Sequence, residues 1–405
     1  MAAPADLPRC RHFGRCGGCQ WQHVPYAGQL ERKRASLDRL FRGYATPAPV
    51  IPMPGDASGM PWHFRHKSAF VFSPAGRSFV MGHFAAGGRE VIPVEECPVQ
   101  SARANRIAFR LRDELLAARV TAAGPDLTGV LRHLIVRTSA DDTNAVAMLV
   151  VTRNAAELKR PVRALLASSD RPDGFFLNVH DTPSPYMVGR RTLRIDGRAL
   201  VPERVGGCAF LVSPTAFFQT NPTAADILVE LVLAALDEGE GDVLDLYSGS
   251  GLFTLPLAMR GHRVTAIEEN PSAVADARRN LDVNRISPRR VRLLTGRVER
   301  ELWSLPGRRF DAVVLDPPRQ GCAPAVLREV FGRLAPARAV YVSCGPEALA
   351  RELESIVAAG YRVSALQPVD MFPHTAHVEV VAVLDRHQPP SGDARMNRHR
   401  RTSRR

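Results

Sequence analysis

Residues 243–255 read VLDLYSGSGLFTL, and this stretch decides the fold. A short apolar strand ends at Tyr247, glycines follow at 249 and 251, and an apolar run resumes at Leu252. A strand turning through glycines into a helix opens a parallel α/β unit, and ligands bind at that turn. The rhythm repeats downstream. RVTAIE, RVRLLT, FDAVVLD and RAVYVS read as short strands, and LFTLPLAMRG, NPSAVADARRNLDVN, APAVLREVFGRL and PEALARELESIVAAG as the helices between them. That alternation predicts right-handed crossovers and a doubly wound, mostly parallel sheet. HVEVVAVLDR reads as a last strand, inserted antiparallel.

The glycine loop is not a full dinucleotide fingerprint, because Thr254 stands where a third glycine belongs. Asp245 at the strand end can take an ammonium group. Glu268 ends the second strand, where an acidic side chain can accept both ribose hydroxyls. An ammonium, a ribose and no pyrophosphate describe S-adenosylmethionine better than NAD.

The fourth strand ends in Asp316-Pro317-Pro318-Arg319. Two prolines fix φ and stop further pairing, so the turn is either a plain strand terminator or a stiff shelf beside the ligand edge. In nucleic-acid amino-methyltransferases an aromatic residue follows the prolines; here Arg319 stands there. Cys344, in VSCGP, ends the fifth strand on the same carboxyl edge. Alone it is either a packing residue or a nucleophile. Glu379 lies in an apolar strand and is either solvent-facing by alternation or a buried catalytic carboxylate.

A thiolate, a carboxylate and a methyl donor together can methylate uracil. Thiolate addition to C6 makes C5 nucleophilic, C5 takes the methyl, and a base removes the C5 proton so that the thiolate leaves. A free thiol is mostly protonated at neutral pH, so the site is expected to favour the thiolate electrostatically.

FFQTNP (217–222), DLYSGSGLFTLPLA, DPPRQG, YVSCGP and DMFPHTAHVE occur in that order. Over about residues 210–384 the chain resembles the RNA uracil-C5 methyltransferases. The resemblance implies Cys344 as nucleophile and Glu379 as base, with S-adenosylmethionine contacts from Gln219, Tyr247, Glu268 and Asp316. It implies a Rossmann-like class I methyltransferase domain beside an α+β N-terminal and central domain. The family often has Asn after the second glycine, where this chain has Leu252, so that cofactor contact is absent or replaced.

Cys10, Cys16 and Cys19 are spaced C-x5-C-x2-C, and Cys97-Pro98 lies far downstream. By spacing these four form an iron–sulfur site, a zinc site or a coincidence, the first fitting best. The resemblance implies a 4Fe–4S cluster, which the ribosomal-RNA members carry. Cys208 and Cys322 read as packing residues. PWHFRHKSAFVF (61–72) interleaves Arg65, His66 and Lys67 with Trp62, Phe64 and Phe70. That mix suits RNA contact, or equally an amphipathic strand with its aromatics in the core.

The expected organisation is an iron–sulfur-bearing RNA-binding region over 1–216, a catalytic domain over 217–386 and a disordered basic tail over 387–405. The first hundred residues read as irregular around one helix near 26–42; the middle region reads as mostly antiparallel. Net charge is +13, of which the last twenty residues hold seven Arg against one Asp. The excess points to a polyanionic partner. No apolar run approaches the roughly 18 residues of a membrane span. No signal-peptide shape is present, so a cytoplasmic protein is expected; a monomer is the expected state. The leading reading is methylation of C5 of a uridine in large-subunit (23S) ribosomal RNA, with the choice of uridine and any action on transfer RNA left open. Its rivals are an amino-group methyltransferase on nucleic acid or protein using the Asp-Pro-Pro turn, and a non-enzymatic metal-bearing RNA-binding protein.

Overall fold

A computed structural model describes residues 8–184, 186–236, 239–305 and 310–387. The tail from 388 onward, where disorder is expected, lies outside them.

After helix α1 (Tyr26–Leu40), seven strands form a first sheet: β1 (Lys67–Ala75), β2 (Ser78–Phe84), β3 (Val91–Pro93), β4 (Leu131–Thr138), β5 (Ala145–Val151), β6 (Gly174–Val179) and β7 (Arg191–Gly197). The order is β3-β2-β1-β4-β5-β6-β7, antiparallel except between β5 and β6. Helices α2 (Ala102–Ala117) and α3 (Lys159–Leu166) pack on one face, over Phe70, Leu134, Leu149 and Phe175. The first hundred residues are therefore not irregular: three short strands interrupted by Gly and Pro turns lie within them. Helix α2 had no clear signal because its arginines dilute the apolar face. Its start is conventional, with Ser101 Oγ accepting from Ala104 N at 3.0 Å.

Hairpin β8 (Val201–Val205) and β9 (Cys208–Val212) leads into the second layer system: α4 (Pro222–Ala234), β10 (Asp242–Leu246), α5 (Thr254–Met259), β11 (Arg263–Glu268), α6 (Pro271–Val283), β12 (Val291–Thr295), α7 (Val298–Trp303), β13 (Ala312–Leu315), α8 (Pro324–Leu327), β14 (Arg338–Ser343), α9 (Pro346–Ala358), β15 (Tyr361–Val369) and β16 (Glu379–Arg386). The sheet runs β12-β11-β10-β13-β14-β16-β15. Its first five strands are parallel, as the alternation predicts. β16 is inserted antiparallel between β14 and the edge strand β15. Apolar cores lie on both faces of this sheet. The β8–β9 hairpin contributes Val205, Phe210 and Val212 to one, and α1 contributes Leu37 and Phe41 to the other. No helix among the described residues is long and apolar enough to cross a membrane.

Candidate active site

One cleft of about 1050 Å³ opens at the carboxyl ends of the parallel strands. Gln219, Tyr247, Glu268, Asp316, Cys344 and Glu379 all line it, so the six residues expected for cofactor and chemistry converge. Arg65 and Gly17 reach the same cleft from the N-terminal segment.

The loop after β10 is held in a strained form. Tyr247 has φ +63°, rare for a bulky residue and costing about 1–3 kcal/mol. Glu268 ties this loop to the end of β11. Its Oε2 accepts from Gly249 N at 2.9 Å and its Oε1 from Asn270 N at 2.7 Å. The carboxylate is thereby fixed at the cleft wall with lone pairs left for hydroxyls. Asp245 differs from expectation. It is fully buried, does not line the cleft, and accepts from Thr254 Oγ1 beneath the loop. Burial pushes its pKa up to about 7. Its visible role is to brace the turn. Leu252 lines the cleft and belongs to the core beneath it.

Sheet register brings the two chemical residues together. Ser343 of β14 pairs antiparallel with Val380 of β16, so the next residues outward, Cys344 and Glu379, meet at the sheet's end. β13 pairs parallel with β14, Leu315 opposite Tyr341, which sets Asp316 on the same rim. Glu379 is only 3% exposed. Burial, then the nearby Asp316, push it up to about 8, against the pull of Arg319. Asp316 faces the cleft yet is otherwise enclosed, and burial with Asp245 raises it to about 7. Burial, then Glu379 and Asp316, push the Cys344 thiol up to about 12. The expectation of a stabilised thiolate is not met in the free enzyme: near neutrality Cys344 and Glu379 keep their protons, while Asp316 lies at its titration midpoint. The sequence hid this because the carboxylates facing Cys344 are set by register.

Four contacts fix the rim. A Cβ on Gly345 would lie 2.2 Å from Arg319 O, so only glycine lets the cysteine turn pack on the Asp-Pro-Pro-Arg turn. Arg319 Nη2 lies 2.8 Å from His377 Nδ1. Glu352 of α9 accepts from Cys322 N at 2.8 Å and from Tyr341 Oη at 2.7 Å, anchoring the residues after the prolines. Cys322 also lines the cleft, a position beyond the packing role expected of it; Cys208 is a packing residue, its thiol against Met259.

Helix α1 clamps the segment between β15 and β16. Lys33 Nζ donates to Asp370, and both side chains are fully buried. Tyr26 Oη donates to Asp370 Oδ2 at 2.8 Å, and Lys33 Nζ to Phe372 O at 3.0 Å. His374, at φ +64°, receives Gln20 N and Trp21 N on its carbonyl at 2.9 Å, donates its own N–H to Gln29 Oε1 at 2.8 Å and stacks on Trp62 at 4.2 Å. Trp62 and the fully buried Phe70 are thus occupied inside the fold, whereas Arg65 faces the cleft. Asp370 and His374 lie in the quoted DMFPHT motif, but their partners over 300 residues away carry no sequence signal.

Cys10, Cys16, Cys19 and Cys97 lie in one another's field. Cys97 is pushed up to about 12 by burial and then by Cys19, with Cys10 and Cys16 adding to it. Cys19 is pushed up to about 11 by burial, opposed by Gln22 and reinforced by Cys16 and Cys10. The Arg65 guanidinium lies in the field of Cys97 and Cys19. Among the described residues, no three His, Cys, Asp or Glu are gathered closely enough for a single metal ion.

A doubly wound sheet with this glycine loop, acidic strand end and carboxyl-edge cleft is that of a class I S-adenosylmethionine-dependent methyltransferase. The chain belongs to the tRNA (uracil-5-)-methyltransferase family, whose model matches residues 190–387. An uncharacterized RNA methyltransferase of Caldanaerobacter subterraneus is 32% identical over 389 residues, 94% of this chain and 84% of that one. Another, from Gloeobacter violaceus, is 36% identical over 391 residues, 93% of this chain and 82% of that one. The crystal structure of Pyrococcus abyssi tRNA (uracil-54, C5)-methyltransferase with S-adenosyl-L-homocysteine superposes with TM-score 0.75 at 27% identity, covering 95% of this chain and 87% of that one. The family's chemistry is S-adenosylmethionine-dependent methylation of uracil C5 in RNA.

Proposed function

We propose that the chain methylates C5 of a uridine in large-subunit ribosomal RNA through a covalent adduct on Cys344. The observation that carries this is the β14–β16 register, which sets a thiol beside a buried carboxyl at the methyl-donor cleft. Cys344 Sγ adds to uracil C6, and C5 becomes nucleophilic. S-adenosylmethionine supplies an electrophilic sulfonium methyl. Glu379 then takes the C5 proton, the C5–H electrons re-form the C5–C6 double bond, and the C6–S bond breaks. With a pKa near 8 in the empty cleft Glu379 is mostly protonated at neutrality, so it takes the C5 proton only once cationic charge bound in the cleft has lowered that pKa. Cationic charge bound beside Asp316 lowers the Cys344 pKa, so the thiolate forms when the cleft is filled rather than in the free enzyme. Gln219, Tyr247, Glu268 and Asp316 would hold the cofactor. Catalysis belongs to 217–386, with 1–216 facing RNA.

Cys10, Cys16, Cys19 and Cys97 would hold a 4Fe–4S cluster. What supports this is that the four thiols lie in one another's field, and each iron of such a cluster takes one thiolate. Its contribution there is structural, tying residues 8–21 to the turn before α2.

The likeness to a transfer-RNA enzyme over 95% of the chain favours a second reading, a transfer-RNA uridine. Mapping 5-methyluridine in ribosomal and transfer RNA from cells with and without the gene separates the two. For the mechanism, Glu379→Gln is expected to accumulate a protein–RNA adduct that survives denaturing electrophoresis and maps to Cys344. Free turnover by that variant without adduct would refute Glu379 as the base.

A further inference from the structure

The first sheet ends in a free edge, β7, that nothing in the mechanism uses. Most of its residues are exposed, and Arg191 and Arg194 stand on it, with Arg190 just before. None of these three guanidinium groups makes a hydrogen bond or ion pair among the described residues. Tyr186, Met187 and Ile195 beside them are 75%, 38% and 44% exposed. The approach to the strand is pinned. Asn178 accepts from Gly189 N at 2.6 Å and donates to Gly189 O at 2.9 Å. His180 Nε2 lies 3.0 Å from Tyr186 O, and Arg132 donates to His180 O at 2.6 Å and to Thr182 O at 3.0 Å.

The position relative to the cleft is set by register. Lys67 pairs with Arg137, Arg137 with Val146, Val146 with Gly174 and Gly174 with Gly197. This row crosses from the strand that follows Arg65, which lines the cleft, to β7. Four strand spacings of about 4.8 Å make about 19 Å across the sheet, and Arg194 and Arg191, opposite Phe176 and Val179, lie three and six residues back along β7 from Gly197, which puts them about 22–28 Å from Lys67. A polynucleotide rising about 3.4 Å per residue covers that in about six to eight nucleotides. A second arginine-rich stretch, Arg285–Arg290, precedes β12 and so lies at the amino ends of the parallel strands, away from the cleft. Charges along an edge strand oppose pairing with another strand, which disfavours a peptide or a second copy as the occupant.

We propose that Arg190, Arg191 and Arg194 with Tyr186 form an RNA-docking surface, gripping phosphates about six to eight nucleotides from the uridine in the cleft. The three arginines contact the backbone, and Tyr186 offers a face to an unpaired base. The inference rests on RNA being the substrate.

The test compares the full chain with its Arg190→Gln/Arg191→Gln/Arg194→Gln variant, binding a labelled RNA stem-loop over a series of salt concentrations. Each phosphate contact adds about 0.7–0.9 to the slope of log affinity against log salt, so the variant's slope is expected to be shallower by about 2–3. S-adenosylhomocysteine binding and methylation of an isolated uridine-containing loop oligonucleotide should match the unsubstituted chain, since neither reaches β7. An unchanged slope, with the unsubstituted chain binding and methylating RNA, overturns the β7 surface alone. No RNA binding or methylation by the unsubstituted chain overturns the substrate reading as well.

Discussion

Gly345 is pressed against Arg319: a Cβ would stand 2.2 Å from Arg319 O and 3.4 Å from its Cγ. The two residues belong to the turns that carry Cys344 and Asp316, so one close approach sets the spacing of nucleophile and shelf. Gly345→Ala must push the turns apart. Misplacement by about 1 Å can lower a rate about a hundredfold. Methyl transfer is expected to fall by that order while S-adenosylhomocysteine binding persists. Undiminished turnover would show that the contact does not set the geometry.

The Cys344 thiol, held near 12, should alkylate slowly at pH 7 and about tenfold faster per pH unit above it. Glu379 retains its proton to about 8, so its charge opposes the thiolate only above that pH. Glu379→Gln is therefore expected to speed alkylation of Cys344 at pH 9 and to leave it nearly unchanged at pH 7. Peptide mapping after iodoacetamide reads this. Equal acceleration at both pH values would mean that the carboxyl is already ionised at neutrality.

The same burial costs stability. Unfolded, Glu379 ionises near 4.5, whereas folded it keeps its proton to about 8. Between these values the folded state binds the extra proton, so its contribution falls as pH rises through the window. Glu379→Gln should raise the melting temperature by a few degrees at pH 8 and by little at pH 4.5. A lower melting temperature at pH 8 would mean that the carboxylate is compensated in the folded chain.

Lys33 and Asp370 are buried to 0% side-chain exposure. Removing one partner strands the other, which costs about 3–5 kcal/mol. Lys33→Met should unfold at clearly lower denaturant than Lys33→Met/Asp370→Leu. The double variant should still lose methyl transfer, because Tyr26 of α1 also anchors Asp370, which lies in the segment leading to Glu379. Equal stability of the two variants would argue against a stranded charge.

The parallel sheet was legible because each strand is a short apolar run stopped by Gly or Pro, as at Gly249 and Pro317. β15 was not. Tyr361–Val369 carries Arg362, Ser364, Gln367 and Pro368, tolerated because it lies at the edge of the sheet, where only the segment 48–51 bonds along its outer side. The rim residues were legible because each ends or follows a strand on one edge. Their protonation was not, since it depends on cross-strand neighbours. Nor was the clamp of Gln29 and Lys33 on His374 and Asp370, which exists only after both ends of the chain have docked.

The most direct measurement is nucleoside analysis of unmodified RNA incubated with S-adenosylmethionine and the Cys344→Ala chain. Covalent addition through Cys344 requires that no 5-methyluridine forms above the enzyme-free level, although the folded variant still binds S-adenosylhomocysteine. Formation of 5-methyluridine at a rate near that of the unsubstituted enzyme would contradict the mechanism.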